Sequence, residues 1–149
     1  MAFAGNFMSS TFKRELLVKG HDFTITTGDS FKLALYDNTA TLTAATATYG
    51  GAGIGELTAS GNYVVTGNAL TNVTPTLSGT TALTDFVDEV WSTATFTARG
   101  ALLYNDTDTT GPDATVAVLD FGTDKTATAG DFTVQFPVAD ASNAIIRIA

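Results

Sequence analysis

Twenty-eight threonines and twenty-two alanines make up a third of this 149-residue chain. Threonine is β-branched, is stiff in a helix, and carries a hydroxyl suited to the wet side of a pleated sheet. A chain so rich in it is directed toward strands with a hydroxylated outer face. Leu, Ile, Val and Phe supply a further quarter of the residues, only 15% are charged, and mean hydropathy is +0.18. That is enough apolar mass for a core and too little charge for disorder. The length suits one domain.

Seven basic residues against fifteen acidic ones leave a formal charge of −8. Such a field repels phosphate backbones, so nucleic acid is excluded as a partner. The absence of cysteine removes disulfides and thiolate metal sites. Residues 1–8 show no basic stretch followed by an apolar one, and no run approaches the ~18 apolar residues of a membrane span. The expectation is a protein without an export signal and without a membrane partner.

One segment reads as helix. Over residues 10–19, Phe12, Leu16 and Leu17 recur at helical spacing, Glu15 precedes Lys19 by four, Ser9, Ser10 or Thr11 can cap, and Gly20 offers a left-handed terminator. Residues 1–20 are therefore expected to form an arm, carrying Phe3 and Phe7, and a short helix. Residues 21–149 are expected to form an all-β sandwich or jelly roll of nine or ten short strands. Period-two patterns occur at 23–27, 31–36, 62–66, 73–77, 81–87, 91–98, 101–105, 116–121, 132–136 and 144–148. Turn signals separate them, among them Asp37-Asn38, Leu77-Ser-Gly, Asn105-Asp-Thr-Asp, Gly111-Pro-Asp and Phe121-Gly-Thr-Asp. Thr-Ala-Thr-apolar-Thr-Ala occurs at 39–44 and 93–98, but the flanks do not match, so this is convergence on strand-like sequence.

Few residues suggest chemistry. His21 is the only histidine, and a triad would have to recruit Ser9, Ser10 or Ser30 by folding; its place after a helix suits interaction with terminal carbonyls better. Asp85, Asp88, Glu89 and Glu56 could pair as acid and base, although turn carboxylates account for most of them. Asp106, Asp108 and Gly111 match positions one, three and six of a calcium loop, but Thr110 and Ala117 fail its positions five and twelve, which leaves a plain hairpin loop or an ion held by Asp106, Asp108 and Asp113. The glycines of 49–56 lack phosphate-loop spacing, and the run from Ala44 to Gly61 reads as a loop that needs something to pin it. Arg99 and Arg147 are candidates for ion pairs with Asp85, Asp88 or Asp120. These patterns give no catalytic residue, no cofactor and no metal site.

Four blocks carry a resemblance: Phe96-Thr-Ala-Arg-Gly-Ala-Leu-Leu-Tyr-Asn105, Ala117-Val-Leu-Asp-Phe-Gly-Thr-Asp-Lys125, Gly130-Asp-Phe-Thr-Val-Gln-Phe-Pro137 and Asp140-Ala-Ser-Asn-Ala-Ile-Ile-Arg-Ile148. Together with Phe31-Lys-Leu-Ala-Leu-Tyr36 and Thr84-Asp-Phe-Val-Asp-Glu-Val-Trp91, they resemble a family of small structural proteins of tailed bacteriophages. The resemblance implies a virion component, a capsid decoration or cement protein that is made in the host cytoplasm, binds the major capsid protein and forms a homotrimer on the shell. It transfers no catalytic motif. Lys13, Arg14 and Lys19 make the N-terminal segment cationic, whereas the remainder carries four basic and fourteen acidic residues. The expected capsid contact is therefore Phe3, Phe7, Phe12, Lys13, Arg14 and Lys19. The alternative is a tail or fibre module that stacks Trp91, Tyr49, Tyr63 or Tyr104 on host glycans.

Overall fold

Four of the expected short strands fuse into one long hairpin in the computed structural model, which describes residues 3, 5–51, 53, 55–107 and 113–149. Its arms are β6 (Glu89–Asn105) and β7 (Ala114–Val134), antiparallel along their whole length. The other strands are β1 (Phe7–Met8), β2 (Phe31–Tyr36), β3 (Asn68–Ala69), β4 (Asn72–Ser78), β5 (Thr81–Phe86) and β8 (Ile146–Ile148). They form a five-stranded sheet in the order β1-β7-β6-β2-β3 and a three-stranded sheet β4-β5-β8, with antiparallel neighbours throughout. Strands and isolated bridges take 49% of the described residues, so the all-β, sandwich-like expectation holds.

Inside the hairpin the turn signal Phe121-Gly-Thr-Asp does not end the strand but bends it. Ala98 pairs with Lys125 and Gly100 with Asp120, so two steps on β6 oppose five on β7. The excess of three residues is a large bulge, with Gly122 at φ +78°. A straight strand would separate Phe121 from Phe132 by about 36 Å at ~3.3 Å per residue, yet their rings lie 6.1 Å apart. The outer half of the hairpin therefore folds back over the inner half. Trp91 and Phe96 both pack on Phe132 there, and Trp91 is buried in the main core cluster, with the Tyr63 ring 6.4 Å from its own.

The outward side of this folded ribbon carries the hydroxyls that the composition foretells. Thr95 pairs with Thr128 and Thr97 with Thr126, all exposed, with the Thr97 and Thr126 hydroxyls 2.7 Å apart.

β2 reads as half-buried in sequence, with Lys32, Ala34 and Tyr36 outward, but Ala34 and Tyr36 are buried. A second cluster covers that face with Ala40 and Leu42 from the following loop, joined by Phe3, Leu102, Tyr104 and Val118. Gly100 makes room for it. A Cβ there would meet Leu119 O at 2.4 Å and the Phe3 ring at 2.5 Å. Gly100→Ala is expected to unseat Phe3 and cost about 2 kcal/mol, an overpacking penalty, measurable by chemical denaturation; an unchanged midpoint would refute the assignment of Phe3 to that socket.

The N-terminal segment is not a free arm. β1 pairs with Val118 and Ala117, the Asp120 N–H donates to Asn6 Oδ1 at 2.6 Å, and Phe12 joins the main core. Phe12 thus shares one core cluster with residues of the β-domain. Two other patterns give way to turn chemistry. At 23–27 the Asp22 carboxylate accepts the Thr24 N–H and the chain turns, sending Phe23 to stack on Phe31 at 4.4 Å. At 62–66, positive φ at Asn62 and Thr66 precludes a strand. Among the described residues eight strands result, where nine or ten were expected.

Candidate functional site

The helix α1 (Ser10–Leu17) starts where the Ser9 N–H meets Val116 O and the Ser10 N–H meets Ala44 O, which moors its first turn to the body. Ser9 makes no side-chain cap to the helix; its hydroxyl bonds to Thr11 and to the Thr46 carbonyl. Lys19, not Gly20, takes the left-handed conformation at φ 61°, and the Val18 and Gly20 N–H groups both return to Glu15 O. Phe12 and Glu15 are buried. Glu15 therefore turns inward and does not pair with Lys19.

Its partner is His21, whose side chain is fully enclosed. His21 Nε2 lies 3.0 Å from Glu15 Oε2, and Nδ1 lies 3.0 Å from the Asn105 amide nitrogen. The Asn105 carbonyl accepts the Thr107 N–H, and its NH2 also donates to Asp29. The amide orientation is thus fixed, Nδ1 must accept, and the ring proton sits on Nε2, facing Glu15. Both ring nitrogens are used internally and neither meets a serine, so the triad geometry is not formed. The carbonyl-capping reading of His21 is likewise replaced by this side-chain network. His21→Ala should cost about 2 kcal/mol by stranding Glu15 and Asn105, read as a lowered denaturation midpoint; no loss would sink the account.

Of the six residues expected to touch a capsid, the structure buries Phe3 (2% exposed) and Phe12 (0%) in the chain's own clusters. Their apolar surface is already spent in folding, so neither can serve a partner. Phe7 is half-buried. Lys13, Arg14 and Lys19 remain exposed, and between them stand two apolar residues that sequence reading assigned inward or passed over, Leu17 at 86% and Val18 at 58% exposure. In a helix of just over two turns only one face can be inward, and Phe12, Glu15 and Leu16 take it. The outer face is cationic and apolar at once.

Three of the four aromatic candidates for sugar stacking are buried. Trp91, Tyr63 and Tyr104 are each 2% exposed or less, and the half-buried Tyr49 stacks on Tyr104 at 4.7 Å. The phenols are organised by Glu56. Tyr49 Oη donates to Glu56 Oε2 at 2.5 Å, while Tyr63 Oη and the Thr66 N–H donate to Oε1 at 2.8 and 2.7 Å. Tyr63 Oη also accepts the Leu35 N–H, and Tyr104 Oη donates to Thr66 O. Burial, with the Glu56 carboxylate beside them, pushes Tyr36, Tyr49 and Tyr63 above the ordinary phenol range; burial and Asp106 do the same for Tyr104.

The remaining carboxylates have structural duties. Asp85, 1% exposed, accepts the Phe86 and Ile145 N–H groups, and its burial raises its pKa. Asp88 accepts the Phe136 N–H and Glu89 the Asn68 amide. Arg99 pairs with Asp120 at 3.1 Å, as expected, while Arg147 donates to the carbonyls of Ala141 and Ser142 and not to a carboxylate. Asp106 pairs with Lys32. Asp108 of the calcium-like loop lies outside the described residues, and among the described residues no group of three acidic or histidine side chains is placed to hold a metal. No described helix is long and apolar enough to cross a membrane.

No protein-family model, no curated protein and no solved structure matches this chain.

Proposed function

We propose that this chain is a structural subunit of a tailed-phage virion, a cement or decoration protein that stabilises the head by binding the major capsid protein as a homotrimer. The sequence blocks at 31–36, 84–91, 96–105, 117–125, 130–137 and 140–148 support the reading by their resemblance to that class. The observation that carries it is the outer face of α1, where Leu17 and Val18 stand exposed among Lys13, Arg14 and Lys19 on an otherwise acidic body. A chain that has filled two core clusters and still leaves apolar residues in a cationic setting presents an unfinished surface, the mark of a subunit. The enclosed ring of His21 and the backbone duties of Asp85 and Asp88 leave those groups occupied in holding the fold.

Quantitative mass spectrometry of purified virions tests the proposal. Many copies in fixed ratio to the major capsid protein are expected, with shells that rupture at lower temperature when the subunit is omitted. A dozen copies or fewer, or normal shells with lost host adsorption, would move the protein to the tail.

A further inference from the structure

We infer that α1 of one copy docks on the turn between β5 and β6 of a second copy, Val87-Asp88-Glu89-Val90, joining chains head to tail into a closed ring. This rests on reading α1 as an assembly face and names what covers it.

The two patches are complements in charge and shape of exposure. On the helix, exposed Leu17 and Val18 lie among Lys13, Arg14 and Lys19. On the turn, Val87 and Val90 are 51% and 45% exposed and flank two carboxylates, with Val138, two residues beyond Phe136, at 71%. Each patch is therefore an apolar centre beside charge, the arrangement of a protein interface, and the signs are opposite. Among the described residues neither Asp88 nor Glu89 forms an ion pair. Asp88 Oδ1 holds the Phe136 N–H at 2.8 Å and Glu89 Oε1 the Asn68 amide at 2.7 Å. Both carboxylates are thus held in place before docking, which lowers the ordering cost of binding.

Charge restricts the symmetry. Helix on helix would set cation against cation, and turn on turn carboxylate against carboxylate, so helix must meet turn. Two copies can exchange that contact reciprocally about a two-fold axis, or each copy can bind the next head to tail. The homotrimer proposed above selects the second arrangement, because three copies close a ring only through head-to-tail contacts.

Sedimentation equilibrium of the full chain reads the outcome directly. The wild type should have a mass that is a whole multiple, three or more, of 15.4 kDa. Lys13→Glu with Arg14→Glu and Lys19→Glu should yield monomers, as should Asp88→Lys with Glu89→Lys, with near-UV circular dichroism confirming that each remains folded. Combining both sets in one chain reverses both patches and should restore the ring. In about 1 M salt, where screening acts within about 3 Å, dissociation should rise at least tenfold. A monomeric or dimeric wild type, or a folded combined variant that stays monomeric, overturns the ring even if the protein is abundant in virions. A ring in solution with no copies in virions overturns the cement reading and leaves the ring standing.

Discussion

Above pH 10 the protein is expected to unfold in one step, with its tyrosines ionising together as it does so. All four phenols are held above their ordinary range, and Tyr36, Tyr63 and Tyr104 are 1–2% exposed. In the unfolded chain each titrates near 10. Between that value and the higher folded one, the unfolded state binds fewer protons than the folded state, so stability falls as pH rises. Below pH 10 the contribution is fully present. Each buried phenol costs about 1.4 kcal/mol per pH unit beyond that point, about 4 kcal/mol per unit for the three, and Tyr49 at the rim adds less. Set against a net stability of about 5–15 kcal/mol, this places the midpoint at about pH 11–13. Tyrosinate absorbance and far-UV circular dichroism followed through the same titration should change at one pH. Phenols that ionise singly near pH 10 while the sheet signal holds would refute it.

The same cluster shows where sequence reading reaches and where it stops. The strand class was legible because threonine and the period-two runs both point to sheet, and the hairpin β4–β5 was legible in Leu77-Ser-Gly, with Gly79 at φ +61°. The joining of 91–98 to 101–105, and of 116–121 to 132–136, was not. A turn signal states that the chain changes direction, but a bulge does so while the ladder continues, and only the partner strand's count distinguishes them. The burial of Ala34 and Tyr36 was hidden for a related reason. Alternation within β2 reports the face that packs on the main core; the cover of the other face comes from Ala40 and Leu42, which alternate with exposed Thr39, Thr41 and Thr43 in a segment that joins neither sheet, so its period does not say what it covers.

The cationic half of the contact set was legible, since Lys13, Arg14 and Lys19 could not all be buried without partners. The aromatic half was not. Phe3 and Phe12 sit in a stretch rich in Gly, Ser and Asn that gives no sign of the Gly100 socket ninety-seven residues away or of the His21 and Phe23 rings near Phe12. Leu17 and Val18 fall at spacings that fit an inward stripe almost as well as an outward one. What decides against it is the inward turn of Glu15 to His21, a buried polar pair whose partner lies beyond the helix end.

Glu56→Ala is expected to be the most damaging single substitution at a half-buried site. Sequence reading gave this residue a possible catalytic part and gave the glycine-rich run around it a need for an anchor; the structure makes the residue the anchor. Its removal strips acceptors from Tyr49 Oη, Tyr63 Oη and the Thr66 N–H together. A donor left unpaired inside a protein costs about 1–3 kcal/mol, and more when its lost partner was charged. Tyr49 can recover part of this from water at the rim, whereas Tyr63 is 2% exposed and cannot. A net loss of about 4 kcal/mol follows. The Tyr49–Tyr104 stack and the bond from Tyr104 to Thr66 should loosen with it. Glu56→Gln keeps one carbonyl oxygen but turns an NH2 toward a donor, so about half the loss should remain. Glu89→Ala, which removes a bond to the Asn68 side chain alone, should cost less than about 1 kcal/mol. Urea denaturation of the three variants ranks them. A Glu56→Ala chain within about 1 kcal/mol of wild type would show that the loop is held by its apolar contacts, and that Glu56 fills a place there without fastening it.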